Sequence, residues 1–148
     1  MQPIVYNILL AEDDEDDRLF FKEAIDELKI NTVVHFVHDG VQLMNYLKND
    51  ETMLPHLLFL DINMPRKNGM QALDEIRHDA RLKDLSVAIY STSSAQKDVE
   101  EALSKGANIY ITKPSDFEQL KKILAKAIKL NWQYHTSAMN KENFILNI

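Results

Sequence analysis

Short apolar runs recur along the chain, and each is followed by polar punctuation and then by a helical spacing. Residues 4–10 are apolar except for Asn7, residues 32–37 are β-branched and aromatic, and Leu57, Leu58, Phe59 and Leu60 are unbroken. Further runs cover 87–90 and 109–111. Runs this short, bounded by Gly, Pro or Asp, read as strands, and a continuous run needs burial on both faces. Between them, apolar residues fall at helical intervals: Phe20, Phe21, Ala24, Ile25 and Leu28 over 17–29, Val41, Met44 and Leu47 over 41–47, and Met70, Leu73 and Ile76, with Arg77, over 70–78. Val99, Ala102 and Leu103 mark a helix closed by Gly106, and Phe117, Leu120, Ile123, Leu124, Ala127 and Ile128 mark a last one capped by Ser115 or Asp116. Five strands alternating with five helices predict an α/β fold with a parallel sheet covered on both sides by right-handed crossovers.

Composition narrows the classes. A chain of 148 residues, 45% hydrophobic and 27% charged, is one globular domain rather than a disordered segment. A net charge of −6 argues against nucleic acid as a partner, because phosphate binding needs a basic face. No cysteine is present, which excludes disulfides and thiolate metal sites and fits a reducing compartment, so a cytoplasmic location is expected. The first residues lack a basic region and reach acids within a dozen positions, unlike a signal peptide, and no apolar run is long enough to cross a membrane. His35, His38, His56, His78 and His135 have no zinc-ligand spacing, and three glycines carry no phosphate-loop signature. The lysines at 121, 122, 126 and 129 read as a solvated face of the last helix.

The chemistry lies in the punctuation. Glu12 and Asp13 follow the first strand, Asp61 and Asn63 the third, Ser91 and Thr92 the fourth, and Lys113 the fifth. Strand ends of a parallel sheet share one edge, where open α/β sheets place their ligands. Taken alone, Asp61 reads more readily as a turn cap than as a site residue. Asp14, Glu15, Asp16 and Asp17 suit a helix N-terminus, where acids complement the dipole. Glu12 and Asp13 sit earlier, on the corner. Carboxylates gathered in one cleft repel, and a hard divalent cation such as Mg²⁺ removes that penalty. With a hydroxyl and a lysine added, the set describes a site that receives a phosphoryl group, with Asp61 as the central oxygen nucleophile.

Glu12-Asp13, the stretch DINMPRKNG beginning at Asp61, Ser91-Thr92 and Lys113-Pro114 together resemble the receiver domain of two-component response regulators, over roughly residues 5–130. The resemblance implies a flavodoxin-like doubly wound sheet of order 2-1-3-4-5. It implies that Asp61 is the phosphoacceptor, taking its phosphoryl group from a histidine kinase. Mg²⁺ would be bound by the carboxylates of Asp13 and Asp61, the backbone carbonyl of Asn63 and, through water, Glu12. Lys113 would pair with the phosphoryl oxygens, and a cis peptide would join Lys113 to Pro114. Ser91 would follow the phosphoryl group and Tyr110 would act as the aromatic switch; without the resemblance, Tyr110 is equally a packing residue. Such a protein is not an enzyme beyond its own phosphorylation and dephosphorylation, and it signals by docking.

The receiver domain is expected to span 1–131, with 132–148 as an apolar extension of it. That tail, with the MPRKNG sequence, is similar to single-domain regulators that pair with bacterial phytochrome-type kinases. It would complete a homodimer interface or cover the last helix. Two other readings fit parts of the pattern. One is a Mg²⁺-dependent phosphatase with an aspartyl nucleophile, although such enzymes resemble a DxD motif after the first strand and carry a cap. The other is an unphosphorylated scaffold of receiver shape.

Overall fold

The computed structural model describes residues 5–134 and 145–146. Strands β1 (Tyr6–Ala11), β2 (Thr32–Val37), β3 (Leu57–Leu60), β4 (Val87–Ser91) and β5 (Ile109–Thr112) are all parallel and lie in the order 2-1-3-4-5. They alternate with α1 (Glu15–Glu27), α2 (Gly40–Lys48), α3 (Gly69–His78), α4 (Gln96–Ser104) and α5 (Phe117–Tyr134). This is the flavodoxin-like α/β fold. One two-residue strand is additional: β6 (Ile145–Leu146) pairs parallel with the free edge of β5, Tyr110 opposite Ile145. Among the described residues the sheet thus has six strands rather than the expected five. So short a run after a polar stretch has no periodicity of its own, and only an open edge gives it a partner. Residues 132–134 continue α5 past the expected start of the tail, and the rest of the expectation about the tail falls outside the described residues.

Successive strand residues point to opposite faces, and in β1, β3, β4 and β5 both faces are dry, whereas the edge strand β2 leaves Val33 and His35 exposed. Leu9, Leu58, Leu60, Val87 and Ile89 face one side and pack against Leu43, Leu47, Leu73, Ile76 and Ala102 from α2, α3 and α4. Ile8, Leu10, Leu57, Phe59 and Ala88 face the other and pack against Phe21 and Ile25 of α1 and Leu120, Leu124 and Ile128 of α5. This is why the sequence shows runs instead of alternation. Phe21 anchors the second layer, its ring edge-on to Phe59 at 5.0 Å and to Tyr90 at 5.6 Å.

Three helices begin at a capping acid, at the expected positions for α1 and α5, whereas α4 starts after Ala95 with no side-chain cap. Asp14 accepts the Asp17 N–H at 3.0 Å, Asp39 accepts the Gln42 N–H at 2.8 Å, and Asp116 accepts the Gln119 N–H at 3.0 Å. Asn68 and Gln71 form a reciprocal capping box on α3. Gly106 follows α4 at φ 95, a left-handed position that suits glycine. On α5, Lys121 bridges to Glu27 of α1 at 3.1 Å, whereas Lys122, Lys126 and Lys129 are exposed. Among the described residues, no helix is long and apolar enough to cross a membrane.

Two polar clusters hold connections that hydrophobicity cannot. Arg77, on the buried side of α3, donates to the carbonyls of Lys83, Leu85 and Gly106 and to Asn108 Oδ1. At the opposite end of the sheet from the strand exits, His56 Nδ1 accepts the Asn7 N–H at 2.8 Å while its ring stacks on Tyr6. Asn131 of α5 donates to the Tyr6 hydroxyl and to the His56 carbonyl. His56 is therefore structural, consistent with the absence of a zinc spacing.

Candidate functional site

Register sets the site. Ala11 lies opposite Leu60, and Leu60 opposite Ile89, so β1, β3 and β4 leave the sheet side by side. The Asp61 N–H donates to the Ala11 carbonyl at 3.1 Å, and the Glu12 N–H to the Val37 carbonyl at 3.0 Å. The two acids are thereby locked to the rim by backbone bonds. Both are buried, Glu12 at 1% and Asp61 at 5% exposure, whereas Asp13 next to them is exposed. Carboxylate oxygens of Glu12, Asp13 and Asp61 all lie within 4.8 Å of one another.

Lys113 reaches this cluster from the end of β5. Its backbone N–H donates to the Ser91 carbonyl at 2.7 Å, which fixes the start of its side chain. Its ammonium lies 2.5 Å from Glu12 Oε1, 3.1 Å from Asp17 Oδ2 and 3.4 Å from Asp61 Oδ2. The ring of Tyr90 lies beneath it, 5.2 Å from nitrogen to centroid.

One cation thus faces three carboxylates. Burial, reinforced by the charge of Asp61, pushes Glu12 up to about 7, although the Lys113 ammonium and the Asp14 N–H pull the other way. Burial likewise raises Asp61, against the pull of Lys113 and of the Asn63 N–H that its Oδ1 accepts at 3.3 Å. Desolvation opposes the charge of Lys113, but the surrounding acids outweigh it and hold the ammonium well above its usual range. The rim carries an excess of negative charge that a hard cation with oxygen ligands would offset.

The β3–α3 loop is fitted closely around Asp61. The Gly69 N–H donates to the Ile62 carbonyl at 2.9 Å, and a Cβ on Gly69 would lie 2.2 Å from the Asp61 carbonyl oxygen. Gly69→Ala is expected to push this backbone aside, costing about 2–4 kcal/mol of stability. Urea denaturation checks the first effect, and a weaker divalent-cation affinity in the same variant checks that the displacement reaches Asp61. Gly40 is as tightly placed on the other side of the loop, 2.1 Å from virtual Cβ to the Lys67 carbonyl oxygen.

Ser91 is fully buried, and its Oγ accepts the Ser93 N–H at 3.1 Å. The Tyr110 hydroxyl donates to the Ser93 carbonyl at 2.8 Å, and its ring is fully buried against the α3 and α4 layer. Burial raises its pKa. Ser93 Oγ in turn donates to Asp98 of α4 at 2.5 Å. Ser91 and Tyr110 are therefore joined through the β4–α4 loop, with the ring turned inward.

The structure thus gathers Glu12, Asp13, Asp61 and Lys113 into one cleft, with Asn63 at its margin and Ser91 and Tyr110 linked behind it. One expectation is overturned. No peptide bond among the described residues is cis, so Lys113 meets Pro114 through a trans bond. An X–Pro bond still favours trans, and here the trans chain delivers Lys113 to Glu12 and Asp61. Asp17 and Tyr90 were not expected in the site. Asp17 lies in the first turn of α1, where an acid also fits the helix dipole, so its spacing does not flag it. Tyr90 directly precedes Ser91 but reads as a strand aromatic.

A doubly wound sheet with an acid triad and a lysine at its carboxyl rim defines a response regulator receiver. The model of the response regulator receiver domain matches residues 8–125, and the chain belongs to that family. Among its relatives, a probable methanogenesis regulatory protein, FilR2 of Methanothrix harundinacea, is 30% identical over 84% of this chain and 82% of its own length. Response regulator Rcp1 of Synechocystis is 30% identical over 79% of this chain and 82% of its own. The crystal structure of a phosphorylated cyanobacterial phytochrome response regulator, RcpA, superposes with a TM-score of 0.78 at 31% identity, covering 93% of this chain and all (100%) of that one. The Mn²⁺-bound form of Rcp1 superposes with a TM-score of 0.75 at 28% identity, covering 91% and 99%.

Proposed function

We propose that this receiver accepts a phosphoryl group on Asp61 from a histidine kinase in a Mg²⁺-dependent reaction and signals by docking onto another protein. The observation that carries the reading is the Lys113 ammonium, 3.4 Å from Asp61 Oδ2 at a rim shared with Glu12 and Asp13. The likeness to phytochrome response regulators supports a phytochrome-type kinase as the donor.

The donor set suits Mg²⁺, which takes hard oxygens and tolerates one or two carboxylates with waters. Asp13 and Asp61 would hold it through carboxylates, Asn63 through its carbonyl and Glu12 through water. Bound there, it would offset the charge of the incoming phosphoryl oxygens. The protein's own part is positional. A carboxylate oxygen of Asp61 forms a new P–O bond as the donor's P–N bond breaks. The electron pair of that bond stays on the imidazole nitrogen, which takes up a proton. Lys113 pairs with the phosphoryl oxygens, where its charge acts in a partly dry site. Water later attacks the acyl phosphate, returning the Asp61 carboxylate and inorganic phosphate.

Ser91 and Tyr110 form the route outward. A phosphoryl oxygen that draws the Ser91 hydroxyl toward Asp61 disturbs the loop that holds Tyr110 and, through Ser93, Asp98 of α4. Acetyl phosphate with Mg²⁺ is expected to add one phosphoryl group by intact mass, and none with a chelator present. Asp61→Asn is expected to take up none; equal labelling of that variant would refute the assignment.

A further inference from the structure

We infer that Asp17 is a positioning residue for this transfer: its carboxylate holds the Lys113 ammonium toward α1 and slows its engagement with a phosphoryl group on Asp61. The inference rests on Asp61 being the acceptor. An ammonium has three N–H donors. Here three carboxylate oxygens surround it, from Glu12, Asp17 and Asp61, at 2.5, 3.1 and 3.4 Å. The ammonium is saturated before any phosphoryl group arrives. An incoming phosphoryl oxygen must displace one partner.

Glu12 is the least able to leave. It makes the shortest contact and has no water to turn to, at 1% side-chain exposure. Asp61 is the group being modified. Asp17 has 42% of its side chain exposed and can exchange the ammonium for solvent. It is therefore the partner that yields. It also stands outside the oxygen cluster of Glu12, Asp13 and Asp61, so its hold is on the lysine and not on a bound cation. The Tyr90 ring lies against the same ammonium, which limits where it can move. Asp17 also adds negative charge to a rim that an anionic phosphodonor must approach. Both effects act in one direction: Asp17 restrains phosphorylation.

Among the described residues, the side chain of Asp17 caps no backbone N–H. The capping role on α1 belongs to Asp14, and Asp17 contributes only its backbone N–H to that bond. Its side chain can be changed without removing the cap.

The test measures the initial rate of Asp61 labelling by acetyl phosphate at saturating Mg²⁺ for the native chain and for Asp17→Asn, Asp17→Ala and Asp17→Glu. Asp17→Asn and Asp17→Ala are each expected to label about three- to tenfold faster, with a flatter dependence on ionic strength, because the restraint is a charge. Both are expected to bind beryllofluoride, a phosphoryl mimic, more tightly by a similar factor. Asp17→Glu is expected to return toward the native rate. A residue that served only the helix would shift the melting temperature and leave the salt dependence alone. Native labelling at Asp61 with rates in Asp17→Asn and Asp17→Ala equal to or below it would overturn this inference and leave the acceptor assignment standing. No labelling of the native chain at Asp61 would overturn both.

Discussion

Replacing Lys113 by methionine is expected to slow phosphorylation of Asp61 by about a hundredfold or more, the scale seen when a preorganised charge at a reacting centre is removed. The same change should lower stability by about 2–4 kcal/mol above neutral pH without divalent cation. The two losses have one origin. Lys113 is the cation among three carboxylates, two of them buried. Methionine fills similar space but leaves Glu12 and Asp61 facing each other unpaired. Mg²⁺ should therefore restore much of the stability of Lys113→Met, measured by urea denaturation, yet little of its labelling rate. A variant that labels within threefold of the native chain would show that the ammonium has no part in transfer.

The second large effect is a pH dependence of the metal-free chain. Glu12 keeps its proton up to about 7 in the fold, whereas in the unfolded chain it loses it near its ordinary value of 4.5. Between those values the native state binds the extra proton. By linkage, stability must then fall as pH rises through this window, and the loss is complete above it. Burial of Glu12 accounts for the sign, since desolvation penalises the charged form more than Lys113 rewards it. Denaturation with a chelator present should show the chain losing on the order of 2 kcal/mol from this group between pH 5 and 8. Glu12→Gln should lack that component of the slope, and saturating Mg²⁺ should flatten it in the native chain. Divalent affinity itself should rise over the same range as the proton leaves. Stability of the chelated native chain that rises from pH 5 to 8 no less than that of Glu12→Gln would contradict this.

Much of this was legible in the chain because parallel sheets write themselves as apolar runs. Leu57 to Leu60 announce a strand dry on both faces, and the polar residue that ends each run must then lie on one edge. That is enough to bring Glu12 and Lys113, 101 positions apart, into contact. The boundaries moved by a residue or two where capping decides them: α1 starts at Glu15 because Asp14 caps it, and α2 starts at Gly40 because Asp39 does. What stayed hidden depends on long side chains and on partners far along the chain. Asp17 fits the helix-dipole explanation and yet sends its carboxylate to Lys113. Arg77 sits among apolar positions because its guanidinium reaches carbonyls that only the folded loops present. The expectation of a cis bond before Pro114 came from resemblance alone and did not hold. The edge strand β6 exists only in relation to β5.

The account turns on where the phosphoryl group goes. Labelling the native chain with acetyl phosphate and Mg²⁺, reducing the acyl phosphate with borohydride and mapping the product by mass spectrometry locates it directly. Conversion of Asp61 to homoserine, with every other acid intact, is the predicted result. Reduction at Asp13 or another carboxylate, or an unreduced phosphate ester on Ser91 or Thr92, would contradict it.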